Sequence, residues 1–150
     1  MQYIMKTFEE LTNIELYEIL KLREEVFILE QACIYPDIDG KDEHAQHLLA
    51  FDAGKIIGCL RILDKGVTFE ECSVGRVIVS KHHRGRGIAK EMMQQALDFI
   101  RREMKETYIR ISAQAYTIPF YERVGFKTVS AEYMEDGILH VEMLCDLGNI

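Results

Sequence analysis

Val77-Ile78-Val79-Ser80-Lys81-His82-His83-Arg84-Gly85-Arg86-Gly87-Ile88-Ala89 is the stretch that decides how this chain is read. An apolar, β-branched run favours a strand. It feeds a short basic turn with two glycines, and the turn opens a long segment of helical periodicity. Glycine lets the backbone approach a ligand closely and adopt dihedrals that other residues resist. A helix start leaves N–H groups unpaired and carries partial positive charge, so such a junction suits phosphate. Arg84 and Arg86 add permanent charge. A phosphorylated ligand is expected here, although the 150-residue chain carries a formal net charge of −7.

Two common phosphate motifs are excluded. The dinucleotide fingerprint requires a third glycine where Lys90 stands, and the Gly-Lys-Ser/Thr of a nucleotide P-loop is absent. What remains is Arg84-x-x-Gly87-x-Ala89, followed farther along by Phe120-Tyr121-Glu122-Arg123-Val124-Gly125-Phe126. In that order the two motifs resemble the acetyl-coenzyme A signature and the site-closing segment of the GNAT N-acetyltransferases. The N-terminal half narrows the resemblance. Leu22-Arg23-x-x-Val26-Phe27-x-x-Glu30-Gln31, Tyr35-Pro36-Asp37-Ile38-Asp39-Gly40-Lys41-Asp42 and His47-Leu48 are similar to the ElaA-type branch. So are Gly75-Arg76-Val77-Ile78-Val79 and Glu135-Asp136-Gly137-Ile138.

The resemblance implies an α/β fold, a mixed and mostly antiparallel sheet flanked by helices. It implies acetyl-CoA as co-substrate and transfer of its acetyl group to a primary amine of a small molecule or peptide, directly within a ternary complex. It places cofactor contacts at the backbone of Val77, Ile78 and Val79, at Arg84, Gly85, Arg86, Gly87, Ile88 and Ala89, and at Tyr121. Tyr121 also occupies the family's general-acid position. Gln114 stands where many relatives carry an asparagine that bonds the cofactor's arm. For the base, Glu30, Glu71 and His140 are candidates beside an ordered-water relay. Glu30 is the preferred residue because it comes from the acceptor-side helix. The rival function is a non-catalytic acyl-CoA sensor or interaction module, and the intact Tyr121 favours an enzyme.

Composition sets the outer limits. The length fits a single domain with a real core, and a homodimer is compatible with it. The acidic balance argues against nucleic acid, whose backbone must be met by clustered cations. Cys33, Cys59, Cys72 and Cys145 are scattered without a Cys-x-x-Cys pair, which suggests buried free thiols and a cytoplasmic protein. None lies beside either motif. The N-terminus reaches charge at Lys6, and no apolar run approaches a membrane span. His44, His47, Asp39 and Asp42 lack a third strong ligand at fixed spacing, so no metal is expected. The acidic loop Asp37–Glu43 reads as a solvated turn or as a negatively charged mouth for a cationic acceptor.

Periodicity predicts the element order. A capping box at Thr12-x-x-Glu15 opens a helix running to about Gln31. Strands follow at His47–Asp52, Lys55–Leu63 and Ser73–Ser80. A helix then turns Ile88, Met92, Met93, Ala96, Leu97, Ile100 and Met104 to the core. Tyr108–Ala113 is a strand, Ile118–Val124 a short helix, and a hairpin joins Phe126–Tyr133 to Ile138–Leu144.

Overall fold

The computed structural model describes residues 1–149. Its elements are β1 (Gln2–Thr7), α1 (Asn13–Arg23), β2 (Gln46–Asp52), β3 (Lys55–Leu63), β4 (Ser73–Val79), α2 (Ile88–Phe99), β5 (Tyr108–Gln114), α3 (Ile118–Arg123), β6 (Phe126–Thr128), β7 (Tyr133–Glu135) and β8 (Ile138–Asp146). The expected capping box starts α1: Thr12 Oγ1 accepts from the Glu15 N–H and Glu15 Oε1 from the Thr12 N–H, both at 3.0 Å. The expected helix to Gln31 is not uniform. Glu24–Glu30 continues α1 with π-type winding, closing on Gln31 N–H to Val26 O, and Ala32 then turns left-handed at φ 50°. That wider turn rotates Glu30 and Gln31 away from the face an α-helix would give them.

β1, β2, β3 and β4 form one antiparallel sheet; β5, β8 and β6 form another, with β7 also paired to β8. The halves meet where Cys72 bridges Ile109 in parallel and the Arg110 N–H donates to Cys72 O at 3.0 Å. The sheet's mixed character rests on that contact. Beyond it β4 and β5 part.

Helices cover opposite faces. Met92, Met93 and Ala96 of α2, with Ile100 just past its end, pack on Leu48, Leu60, Ile62, Ile109, Ile111 and Met143. Ile19, Leu22 and Val26 pack on Leu49, Cys59 and Ile78. Leu48 and Leu49 are neighbours in β2, yet both are essentially inaccessible, because the central strands are buried on both sides. Each such side chain contributes about 1.5–3 kcal/mol relative to exposure. The four cysteines are free and buried.

The last hairpin departs from expectation. Phe126–Tyr133 is broken between β6 and β7, where Val129 N–H donates to Glu142 O and Ser130 Oγ accepts the Glu142 N–H. Among the described residues, no helix is long and apolar enough to cross a membrane.

Candidate active site

The divergence of β4 and β5 begins with a bulge. Gly75 pairs with Arg61 and Ile78 with Cys59, so two β4 residues oppose one on β3, and Arg76 takes a left-handed φ of 51°. Past the bulge Ser80 N–H donates to Ile57 O at 2.7 Å. Main-chain groups alternate along a strand, so Ile78 faces β3 while Val77 and Val79 face the splay. Arg84 Nε donates to Val79 O at 3.1 Å on that open side. Of the three residues expected to offer backbone contacts, Val77 lies within the bulge and Val79 turns its main-chain N–H to the open side. Ile78 spends its own on β3, and its side chain is buried under α1.

The splay opens a cleft of about 600 Å³. Val77, Val79, Arg84, Gln114, Tyr121 and His140 line it at the open end of β4 and β5. Tyr35, Asp39, Arg61 and Arg76 line it under the N-terminal half.

The signature turn lies on the surface beyond the cleft wall. Gly85 and Gly87 have φ of 79° and 75°, values that disfavour side chains, and a Cβ at either would meet nothing within 4 Å. Gly87 is the N-cap of α2 and provides no side-chain cap, so the first-turn N–H groups of Ile88, Ala89 and Lys90 point to open space. Ile88 is buried and anchors the helix start, while Arg86 is exposed. An uncapped helix start with clear space above two glycines fits a pyrophosphate such as that of an acyl-CoA.

Tyr121 sits half-buried on α3, edge-on to Phe120 and Phe126 with ring centroids 5.0 and 5.7 Å away. Its hydroxyl has no hydrogen-bond partner among the described residues. Burial pushes its pKa up, and Tyr116 adds to the shift, so it holds its proton at neutral pH.

Two cross-cleft contacts were invisible in the sequence. Arg84 grips Glu30 with both terminal nitrogens, at 2.6 and 2.8 Å. Gln31 and Gln114 exchange amide hydrogen bonds at 3.0 and 3.1 Å, and Gln31 reaches Tyr116 Oη at 3.3 Å. The π-wound segment thus clasps both lips of the splay. The Gln114 amide, expected on the cofactor's arm, is held by Gln31 in this structure. The Arg84 hydrogen bonds hold the Glu30 carboxyl below its usual pKa, which makes the paired group a weak base. Glu71 lies outside the cleft, at the closed end, bound by Arg110 through two bonds of 3.0 Å that likewise depress its pKa. His140 lines the cleft, with Nδ1 bonded to Ile138 O at 2.7 Å.

The acidic loop is neither a solvated turn nor a negative mouth. Arg23, 1 % exposed, binds Asp37 Oδ2 and Asp42 Oδ1, each at 2.8 Å. Arg61 binds Asp39 and Asp42, and Arg76 pairs with Asp37 at 2.8 Å while lying over the Tyr35 ring. Three guanidiniums answer three carboxylates, so the loop is internally neutral. Burial pushes the Asp39 and Asp42 carboxyls up, but the arginines outweigh it and both lie below the usual range. His47 spends Nε2 on Asp42 O at 2.9 Å, and Asp39 and Asp42 are bound to the arginines. Cys33, which adjoins neither motif in the sequence, lines the cleft, its Sγ donating to Asp136 O at 3.2 Å.

Residues 11–147 match the family model described as "Acetyltransferase (GNAT) domain". A UPF0039 protein of Schizosaccharomyces pombe is 37% identical over 150 residues, covering 98% of each chain. Protein ElaA of Escherichia coli is 36% identical over 136 residues, 89% of each. The crystal structure of Escherichia coli ElaA superposes with a TM-score of 0.90 at 33% identity, over 97% of this chain and 99% of that one. An acyl-CoA N-acyltransferase from Pseudomonas aeruginosa gives 0.89 at 36% identity, over 97% and 99%. The splayed strands, the uncapped glycine turn and these matches agree: the chain belongs to the GNAT acetyltransferase family, in its ElaA-like branch, and has the fold of its acyl-CoA-dependent acyltransferases.

Proposed function

We propose that this protein transfers the acetyl group of acetyl-CoA to a primary amine of a small molecule or peptide, directly within a ternary complex. The observation that carries this reading is one cleft holding three things: the splayed edge of β4 at Val77 and Val79, the unbonded hydroxyl of Tyr121, and room beside them for an acceptor.

Each supports a demand of the chemistry. An alkylamine with pKa near 10.4 is mostly protonated at pH 7, and reaching the neutral form costs roughly 4.6 kcal/mol. The amine nitrogen attacks the thioester carbonyl carbon, and the N–H groups on the splayed edge of β4 stabilise the oxygen as charge develops. Donors of that kind are worth about 3 kcal/mol. As the C–S bond breaks, the thiolate takes the proton of Tyr121.

The test is thiol release from acetyl-CoA with a panel of polyamines, aminosugars and lysine peptides. At least one amine should be acetylated by the wild type, and Tyr121→Phe should lower kcat by about 10²-fold or more with acetyl-CoA affinity kept. A fall of less than threefold would make Tyr121 a packing residue. Binding of acetyl-CoA without release for any amine would return the chain to the class of acyl-CoA-binding modules.

A further inference from the structure

His140 stands opposite Gln114 in the β5–β8 register, at the open end of the splay, and lines the cleft while only 7 % exposed. Its Nδ1 lies 2.7 Å from Ile138 O. A carbonyl can only accept, so Nδ1 carries a hydrogen, and in the neutral ring Nε2 is the bare lone pair. That Nε2 is 3.3 Å from Glu135 Oε2. Two acceptors at this separation are one proton short. The ring is steadied by Tyr133, stacked at 6.1 Å with planes 22° apart. Glu135 Oε2 accepts from Ser112 Oγ at 3.3 Å, and Ser112 shares a 2.6 Å hydrogen bond with Tyr133.

The charges of the cleft point the same way. Glu30 and Asp39 are bound to arginines, whereas Glu135 and Asp136 are the cleft-lining carboxylates with no arginine partner among the described residues. The groups around His140 are Tyr133 and Glu135 from β7 and the neutral Ser112 and Gln114 from β5, with Asp136 of the turn also lining the cleft. Glu142, farther along β8, is tied to Arg110 at 3.0 Å.

We infer that His140 Nε2 is the base that takes the proton of a cationic acceptor amine, with Glu135 the positioning residue that holds the imidazolium so formed. The inference rests on the amine-acetylation reading above. The nitrogen gives up two protons in all. The first passes to His140 and on to solvent past the half-exposed Glu135. The second leaves the nitrogen as the N–C bond forms and restores to Tyr121 the proton it gives to the thiolate.

Two measurements test it. Nitrogen-15 spectra of the histidine rings need no substrate. They should show His140 as the Nδ1–H tautomer when neutral. With an amine that the wild type acetylates, His140→Gln should lower kcat/KM by about 10²-fold or more and flatten its acid limb, leaving calorimetric acetyl-CoA affinity within twofold. Glu135→Gln, a half-exposed change that spares the core, should lower kcat/KM less and shift that limb to lower pH. An Nε2–H tautomer, or a His140→Gln enzyme within threefold of wild type with the same acid limb, overturns the assignment. If no amine releases thiol, the amine-acetylation reading fails and the tautomer alone judges the His140–Glu135 pair.

Discussion

Arg23→Met removes the centre of the buried ion network while keeping a side chain of similar length. The wild-type guanidinium makes four hydrogen bonds, two to the Asp42 carboxylate, one to the Asp37 carboxylate and one to Asp37 O, between 2.8 and 3.2 Å. Asp37 and Asp42 are each 7 % exposed, so the lost partner cannot be replaced cheaply by water. Asp37 keeps Arg76 and the Tyr35 hydroxyl, and Asp42 keeps Arg61, but three carboxylates, two of them buried, then share two guanidiniums. Breaking a buried pair from one side costs about 3–5 kcal/mol. For a domain of this size that is a fall in Tm of roughly 6–20 °C, and a large part of a total stability of about 5–15 kcal/mol. Urea unfolding followed by circular dichroism measures it. Arg101→Met is the control, since Arg101 pairs with Asp98 in the open and such pairs are worth about 0–1 kcal/mol. Arg23 does not line the cleft, so the folded fraction should bind acetyl-CoA as before. A loss below 1 kcal/mol, matching the control, would show that the three arginines do not depend on one another and would refute the reasoning.

The same network sets an acid limit. Asp39 and Asp42 have folded pKa values below their unfolded ones, so their contribution is complete above the unfolded value near ~3.9 and is lost as pH falls through the folded values. Urea midpoints should be steady from about pH 7 to 5 and fall steeply below about 4, less steeply in Arg23→Met. At the signature turn, Gly87→Glu should abolish acetyl-CoA binding by calorimetry, because it sets a carboxylate over the uncapped start of α2; an affinity within twofold of wild type would remove this turn from the site. Cys33→Ala should keep kcat within threefold, as direct transfer requires. Loss of activity, together with an acetylated Cys33 in the wild type by mass spectrometry, would establish a covalent route instead.

What could be read from the sequence was local, and what could not was held by contacts between distant residues. The capping box at Thr12, the apolar face of α2 and the turn at Asp136-Gly137 depend on neighbours a few positions apart, and each appears where periodicity places it. The acidic loop misled because charge along a chain says nothing about its partners. Arg23 reaches Asp42 across 19 positions and Arg76 reaches Asp37 across 39, so a run that looks like an electrostatic lure is a neutral structural knot. Glu30 and Gln114 were legible as residues of the site but not in their present engagements. Their partners, Arg84 and Gln31, lie 54 and 83 positions away, and the π-winding that aims residues 30 and 31 across the cleft leaves no compositional trace. His140 and Glu135 show the reverse case. Read singly, His140 was one candidate base among three and Glu135 a turn acid. Only the β7–β8 pairing, which sets Glu135 opposite Ile138 and Tyr133 opposite His140, turns them into a pair that lacks a proton. The cleft's arginine-free carboxylates therefore stand on the C-terminal hairpin rather than on the N-terminal loop, and a protonated amine entering the cleft is drawn toward the histidine able to deprotonate it.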